Sequence, residues 1–88
     1  MISTKQVQYA LAVEKTRHFK QAAELCNVSQ STLSSAIAEM ENQLGVQMFE
    51  RDNKQVLVTP IGERILDRAR VIRNELREIE LLAKTSDK

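Results

Sequence analysis

Residues 25–38 read LCNVSQSTLSSAIA, a run with no charged side chain in a protein where 28% of residues are Asp, Glu, Lys or Arg. Its middle, Ser29 to Ser35, is mostly small hydroxyls with one amide, Gln30. Such side chains make poor core and are mediocre helix formers, yet the apolar spacing around them is helical. They suit an exposed helix N-terminus that comes close to another polar surface. Backbone N–H groups at a helix start attract phosphate, and short hydroxyl and amide groups reach base edges without blocking that approach. The chemistry implied is hydrogen-bonded readout of a DNA duplex. Gln30, Ser31 and Ser35 are expected at base edges, with Thr32 and Ser34 flanking them on phosphate. Arg51 and Lys54, with Lys5 and Arg17 as secondary candidates, are the cations expected on the backbone or in a minor groove.

The elements that must hold these residues follow from spacing. A first helix is predicted from about Thr4 to Glu14, with Ser3 or Thr4 as N-cap and Val7, Ala10 and Leu11 on one face. A short second helix covers about Phe19 to Leu25, and Asn27-Val28 makes a turn. Ser29 then caps a third helix from about Gln30 to Leu44, which Gly45 ends. Leu33, Ile37, Met40 and Leu44 form its inner stripe. Ser31, Ser35, Ala38 and Asn42 lie opposite, and Glu39 and Glu41 sit away from the N-terminus, clear of any phosphate.

Beyond Gly45 the periodicity changes. Val46–Arg51 and Gln55–Thr59 read as two short strands joined by the polar turn Asp52-Asn53-Lys54, where Asn53 tolerates a positive φ. A helix-turn-helix followed by such a hairpin is a winged helix, so the fold class is mainly α: three helices, a two-stranded wing, then a long helix. That last helix opens on Thr59 as N-cap and Pro60 at N1, with Glu63 in the first turn. It runs to about Lys84, roughly 37 Å. Ile65, Ala69, Ile72, Leu76, Ile79 and Ala83 are spaced as heptads along it, a seam expected to pair with a second copy. The division expected is 1–59 for the winged helix-turn-helix and 60–88 for a linker and dimerisation helix.

Composition limits the alternatives. Eighty-eight residues make one small domain with an aliphatic core, for there is no Trp and only three aromatic residues. The single Cys excludes an internal disulfide, and no Cys/His cluster has metal-ligand spacing, so neither metal nor cofactor is expected. No apolar run approaches the roughly 18 residues of a membrane span, and no signal sequence opens the chain; a cytoplasmic protein is expected. Net charge is only +1, so affinity for nucleic acid must come from local placement of charge.

Taken in order, Arg17-His18-Phe19, Ala22-Ala23, Cys26, Val28-Ser29-Gln30, Thr32-Leu33-Ser34, Leu44-Gly45-Val46, Phe49-Glu50-Arg51, Leu57, Thr59 and Gly62 resemble the N-terminal domain of LysR-type transcriptional regulators. The resemblance covers essentially the whole chain, and the string RHF-x-x-AA-x-x-C-x-VSQ-x-TLS is most similar to the peroxide-responsive OxyR branch. Two positions on the reading face depart from the family: Ser31 stands where Pro is usual, and Ser35 where many members have Arg or Gly. The resemblance implies a bacterial DNA-binding half whose effector domain, with the redox-active cysteines of that branch, is absent from these residues. It also implies a homodimer through the long helix on an interrupted palindrome, with tetramers in full-length members.

Each residue has a plainer reading. Cys26, between Leu25 and Val28, is expected to fill core rather than to react, and His18 to be a surface or capping residue. Arg51 and Lys54 could be an ordinary charged turn, and the long helix could pack only within its own chain. No enzyme is expected, since no nucleophile–base set, phosphate loop or paired carboxylates occur in workable order. The rival class is a protein-interaction module built from a winged helix and a coiled-coil arm, distinguished from the DNA reading by salt-insensitive binding.

Overall fold

The computed structural model describes residues 1–52 and 55–86, so Asn53 and Lys54, the middle of the expected wing turn, lie outside the described residues. Among the described residues the order is α1 (Thr4–Thr16), α2 (Phe19–Cys26), α3 (Gln30–Leu44), β1 (Phe49–Arg51), β2 (Val56–Val58) and α4 (Pro60–Thr85). This is the winged helix-turn-helix with a long trailing helix.

Local chemistry sets the boundaries. Ser3 and Gln6 form a reciprocal capping box at the start of α1, the Ser3 hydroxyl accepting the Gln6 N–H and the Gln6 side chain accepting the Ser3 N–H. Each of the first three helices ends on a left-handed residue: Arg17 at φ 55°, Asn27 at 57° and Gly45 at 72°. For Arg17 that conformation costs about 1 kcal/mol. Its Nε offsets the cost by donating to the Glu14 carbonyl at 2.9 Å, one of the orphan acceptors of the last turn. Thr59 caps α4 as expected, accepting the Gly62 N–H at 3.0 Å.

The core is where α1, α2 and α3 cross. Val7, Ala10, Leu11 and Val13 of α1 meet Ala22 and Ala23 of α2 and Leu33, Ile37 and Met40 of α3, with Met48, Phe49 and Val56 closing one end. Ala22 and Ala23 are small enough to bring α2 tight against its neighbours. Phe19 and Phe49 meet edge to face with centroids 6.5 Å apart. Leu44, expected on the inner stripe, is 39% exposed, because α3 has already passed the edge of this core.

The strands are shorter than expected for a specific reason. Phe49 pairs with Val58, Glu50 with Leu57 and Arg51 with Val56, antiparallel. Upstream of Phe49 the backbone donors belong to α3: Val46 N–H goes to the Glu41 carbonyl at 3.2 Å, and the Glu41 carboxylate accepts from Met48 and Phe49 at 2.7 and 3.1 Å. From the other side Thr59 donates to the Met48 carbonyl at 2.9 Å. Gly62 sits so close that a Cβ there would stand 2.2 Å from that carbonyl oxygen. The chain entering the wing is thus stitched between α3 and α4.

The core also continues across the expected boundary at 59/60. Gly62, Leu66 and Ala69 of α4 are buried with the winged domain, and Arg70 reaches across to the Glu14 carboxylate of α1 at 2.6 and 2.8 Å while also pairing with Asp67. Hydrogen bonds to Glu14 and then Asp67 hold the Arg70 pKa above its ordinary value. Only beyond about Arg77 does α4 leave its own domain.

Candidate nucleic-acid interface

The N-terminus of α3 is open to solvent and lined by hydroxyls. Ser29 Oγ accepts the Thr32 N–H at 3.1 Å and donates to Thr32 Oγ1 at 2.8 Å. Its single proton is then spent, so the 3.2 Å contact with Ser31 is a bond that Ser31 donates. The outcome is a small cluster that fixes the cap and leaves the Thr32 hydroxyl proton free to donate outward. Gln30, Ser31, Thr32 and Ser35 are all exposed, Ser34 half-buried on the flank. The Gln30 and Ser35 side chains make no hydrogen bond to the described residues. Ala38 and Asn42 continue the same exposed strip.

The wing meets the start of α2. The Arg51 guanidinium lies 3.8 Å from the centroid of the Phe19 ring, a cation–π contact that holds an exposed cation in one place instead of letting it sweep through solvent. Arg17, His18, Arg51, Asp52 and Gln55 line one shallow cleft. The structure therefore brings Arg17 and Arg51 together, two of the expected backbone cations. Lys5 is not part of this group. The Gln6 amide donates to Gln43 at 3.2 Å, which places the start of α1 beside the far end of α3, roughly 20 Å along the helix from Gln30. Lys54 lies outside the described residues.

One residue here was missed by spacing alone, and another was read correctly. Glu41, grouped with Glu39 only as a carboxylate kept clear of phosphate, is half-buried and organises the entry to the wing. No periodicity signals that role, since the donors it accepts from, Met48 and Phe49 N–H, are seven and eight residues away at the entry to β1. His18 is the N-cap of α2, its Nδ1 accepting the Gln21 N–H at 3.2 Å, so the capping alternative is the one that the structure bears out. Cys26 is half-buried and packs against the core, and burial pushes its thiol pKa up.

The seam on α4 divides. Ala69 is 3% exposed inside its own domain, and Ile65 packs against the same core. Leu76 is half-buried beside α1 and α2. Ile72, Ile79 and Ala83 remain open, and so do Ile61 and Leu82 on the same side. Ile2, Leu44, Ile65 and Ile72 line a neighbouring apolar hollow. The stripe could not face a partner along its whole length because the first three turns of α4 are needed to close an 88-residue core.

Comparison with known proteins places this architecture. Residues 4–63 match the family described as bacterial regulatory helix-turn-helix proteins, lysR family. The chain is 40% identical over 81 residues to the DNA-binding transcriptional dual regulator OxyR of Escherichia coli K12, covering 92% of this chain and 26% of that protein. A full-length OxyR variant from Pseudomonas aeruginosa superposes with a TM-score of 0.92 at 34% identity, over all of this chain and 30% of the other. The BenM DNA-binding domain, solved in complex with benA site 1 DNA, superposes at 0.87 and 27% identity over 93% of this chain and 92% of the other. The chain thus spans about a quarter of the length of the curated relatives it matches.

Proposed function

Because the chain belongs to the lysR family of bacterial regulatory helix-turn-helix proteins, we propose that it is the sequence-reading part of a transcriptional regulator, most similar to OxyR, which enters the major groove with the N-terminus of α3. The observation that carries this reading is the exposed, uncharged strip of α3, together with Arg17 of the α1–α2 turn and Arg51 of the wing, which line one cleft. Gln30, Ser31 and Ser35 read base edges, Gln30 being able to pair bidentately with adenine. Thr32, Ser34 and the backbone at the helix start hold phosphate. Arg51 and Arg17 add sequence-independent attraction, with Lys54 and Lys5 as further backbone contacts. No step of this reading is catalytic, and none calls for a metal or cofactor.

One winged helix reads too few base pairs for useful specificity, so two copies act on the halves of an interrupted palindrome. The open face of α4 is the pairing surface. Arg64 and Arg68 flank its first half, Glu75 and Glu78 its second. Arg68 and Glu75, like Ile61 and Leu82, lie at nearly equal distances on either side of Ile72. An antiparallel pair centred there sets Arg against Glu and apolar against apolar, whereas a parallel pair opposes like charges. The helix beyond Arg77 serves as the arm of residues 60–88 that reaches the partner. Full-length relatives would extend this dimer to a tetramer through their remaining length. No helix among the described residues is long and apolar enough to cross a membrane, and a regulator of this kind works in the bacterial cytoplasm.

The test is binding to palindromic and half-site duplexes drawn from a random pool, as a function of salt. A winged-helix dimer on DNA gives a steep salt slope and a strong preference for the palindrome. Salt-insensitive binding with no palindrome preference would sink the reading and favour a protein-interaction module.

A further inference from the structure

A second face of α4 has no role in reading DNA and shares only Leu76 with the expected heptad seam. Arg73, Arg77 and Glu80 lie along it, roughly 90–150° round the helix from the Ile72–Ile79 side, with Leu76 at its near edge. Together with α1 and the C-terminal end of α2 this face encloses an open groove of about 430 Å³. Its floor is apolar, built on Leu11 and Leu76, and Leu25 stands at the rim 56% exposed. Its polar lining is unbalanced: Lys15, Arg73 and Arg77 stand against one carboxylate, Glu80.

Arg73 is the informative member. Its Nε is buried and has no hydrogen-bond partner among the described residues. One turn earlier Arg70 is fully engaged by Glu14 and Asp67, so the difference is not a general property of arginines on this helix. A buried donor without an acceptor is rare in a settled fold, and an acceptor brought from outside would satisfy it.

We propose that this groove docks an acidic amphipathic helix of a different protein, with carboxylates on Arg73, Arg77 and Lys15 and a leucine-type side chain against Leu11, Leu25 and Leu76. The groove between helices with an apolar floor suits helix-in-groove recognition, and its excess of cations selects a partner rich in Glu or Asp. A phosphate backbone would satisfy the cations and leave the exposed Leu25 unused. In a DNA-bound dimer the groove, lying off both the α3 tip and the pairing stripe, stays open to such a partner, so docking and DNA reading are compatible.

The experiment uses a synthetic helical peptide of Leu, Ala and Glu with leucines at helical spacing, and a control peptide with Lys for every Glu. Fluorescence anisotropy reads binding. Cys26, the chain's one cysteine and part of the groove lining, reports occupancy through its rate of reaction with a thiol reagent. The Glu peptide is expected to bind and to slow Cys26 modification, and the Lys peptide to do neither. Arg73→Ala should weaken the Glu peptide about tenfold, the effect of losing a charge-assisted contact. Leu25→Ser, which changes no charge, should weaken it as well. Helical content and duplex binding are followed in parallel, so a failure of the DNA reading would leave the groove result standing. Equal binding of both peptides, no protection of Cys26, no effect of Arg73→Ala, or displacement of the peptide by non-specific duplex or by the protein's own self-association would each overturn the proposal.

Discussion

Removing the Glu41 carboxylate should loosen the wing from α3 at a cost that the geometry lets us size. One oxygen, Oε2, accepts from Met48 N–H at 2.7 Å and Phe49 N–H at 3.1 Å, and both residues are essentially buried, at 0% and 3% exposure. A hydrogen bond to a charged acceptor contributes about 1.5–3 kcal/mol, and a buried donor left bare costs a comparable amount. The two bonds share one oxygen, so Glu41→Ala should lose about 3–4 kcal/mol rather than the full sum of two. Glu41→Gln keeps an acceptor oxygen and loses only charge assistance, about 1–1.5 kcal/mol. For a domain of this size 1 kcal/mol moves Tm by about 4–8 °C, so the Ala variant should melt at least about 12 °C lower. The assay is urea and thermal unfolding followed by circular dichroism at one fixed protein concentration, since dimerisation shifts apparent stability. Glu39→Ala, on the exposed side of the same helix, is the control and should stay within about 0.5 kcal/mol. If Glu41→Ala and Glu39→Ala behaved alike, or if Gln were as damaging as Ala, the carboxylate would not be what holds the wing entry.

Gly62→Ala should destabilise the fold by about 1–3 kcal/mol despite its better helix propensity, because its Cβ would overlap the Met48 carbonyl at 2.2 Å and force α4 away from the strand entry; a Tm at or above that of the parent would contradict that contact. Arg51→Ala should weaken specific and non-specific duplexes alike and flatten the slope of log K against log salt by roughly one unit, and an unchanged slope would place Arg51 off the DNA. Ile72→Lys combined with Ile79→Lys, both on the open side of α4, should give a folded protein that sediments as a monomer and no longer prefers a palindrome to a half-site. A dimer that survived this double change would have to be built on another surface.

How much of this was legible from residue types depended on whether the determinant was local. The bounds of α3 were readable because Ser29 and Gly45 each act through their own backbone, one as an acceptor for Thr32 N–H and the other through φ 72°. The same holds for Thr59-Pro60 at the start of α4. The strands were overextended because what ends β1 at Phe49 is a carboxylate from α3 taking the donors that a ladder would use, and nothing in Val46-Gln47-Met48 announces that. The α4 stripe looked uniform at heptad spacing, yet Ala69 is consumed by the domain's own core and Ile79, at 62% exposure, is not. Periodicity identifies a face but not its occupant; here one side of the stripe meets the chain's own α1 and the other meets solvent. The residues proposed to read bases were visible as a composition anomaly, hydroxyls and an amide where charge is the norm. The Arg51–Phe19 stack was not, since it joins residues from two elements that only the closed core brings together.

The central claim is that the exposed strip of α3 reads base edges, and selection from randomised duplexes by the parent protein and by Gln30→Ala tests it most directly. The account expects both proteins to recover sites with the same half-site spacing. The variant should lose preference at one base pair in each half, at a cost of about 1–3 kcal/mol, and keep it elsewhere. A uniform loss of affinity over all sequences, with the base preferences of the parent intact, would contradict direct readout by this face.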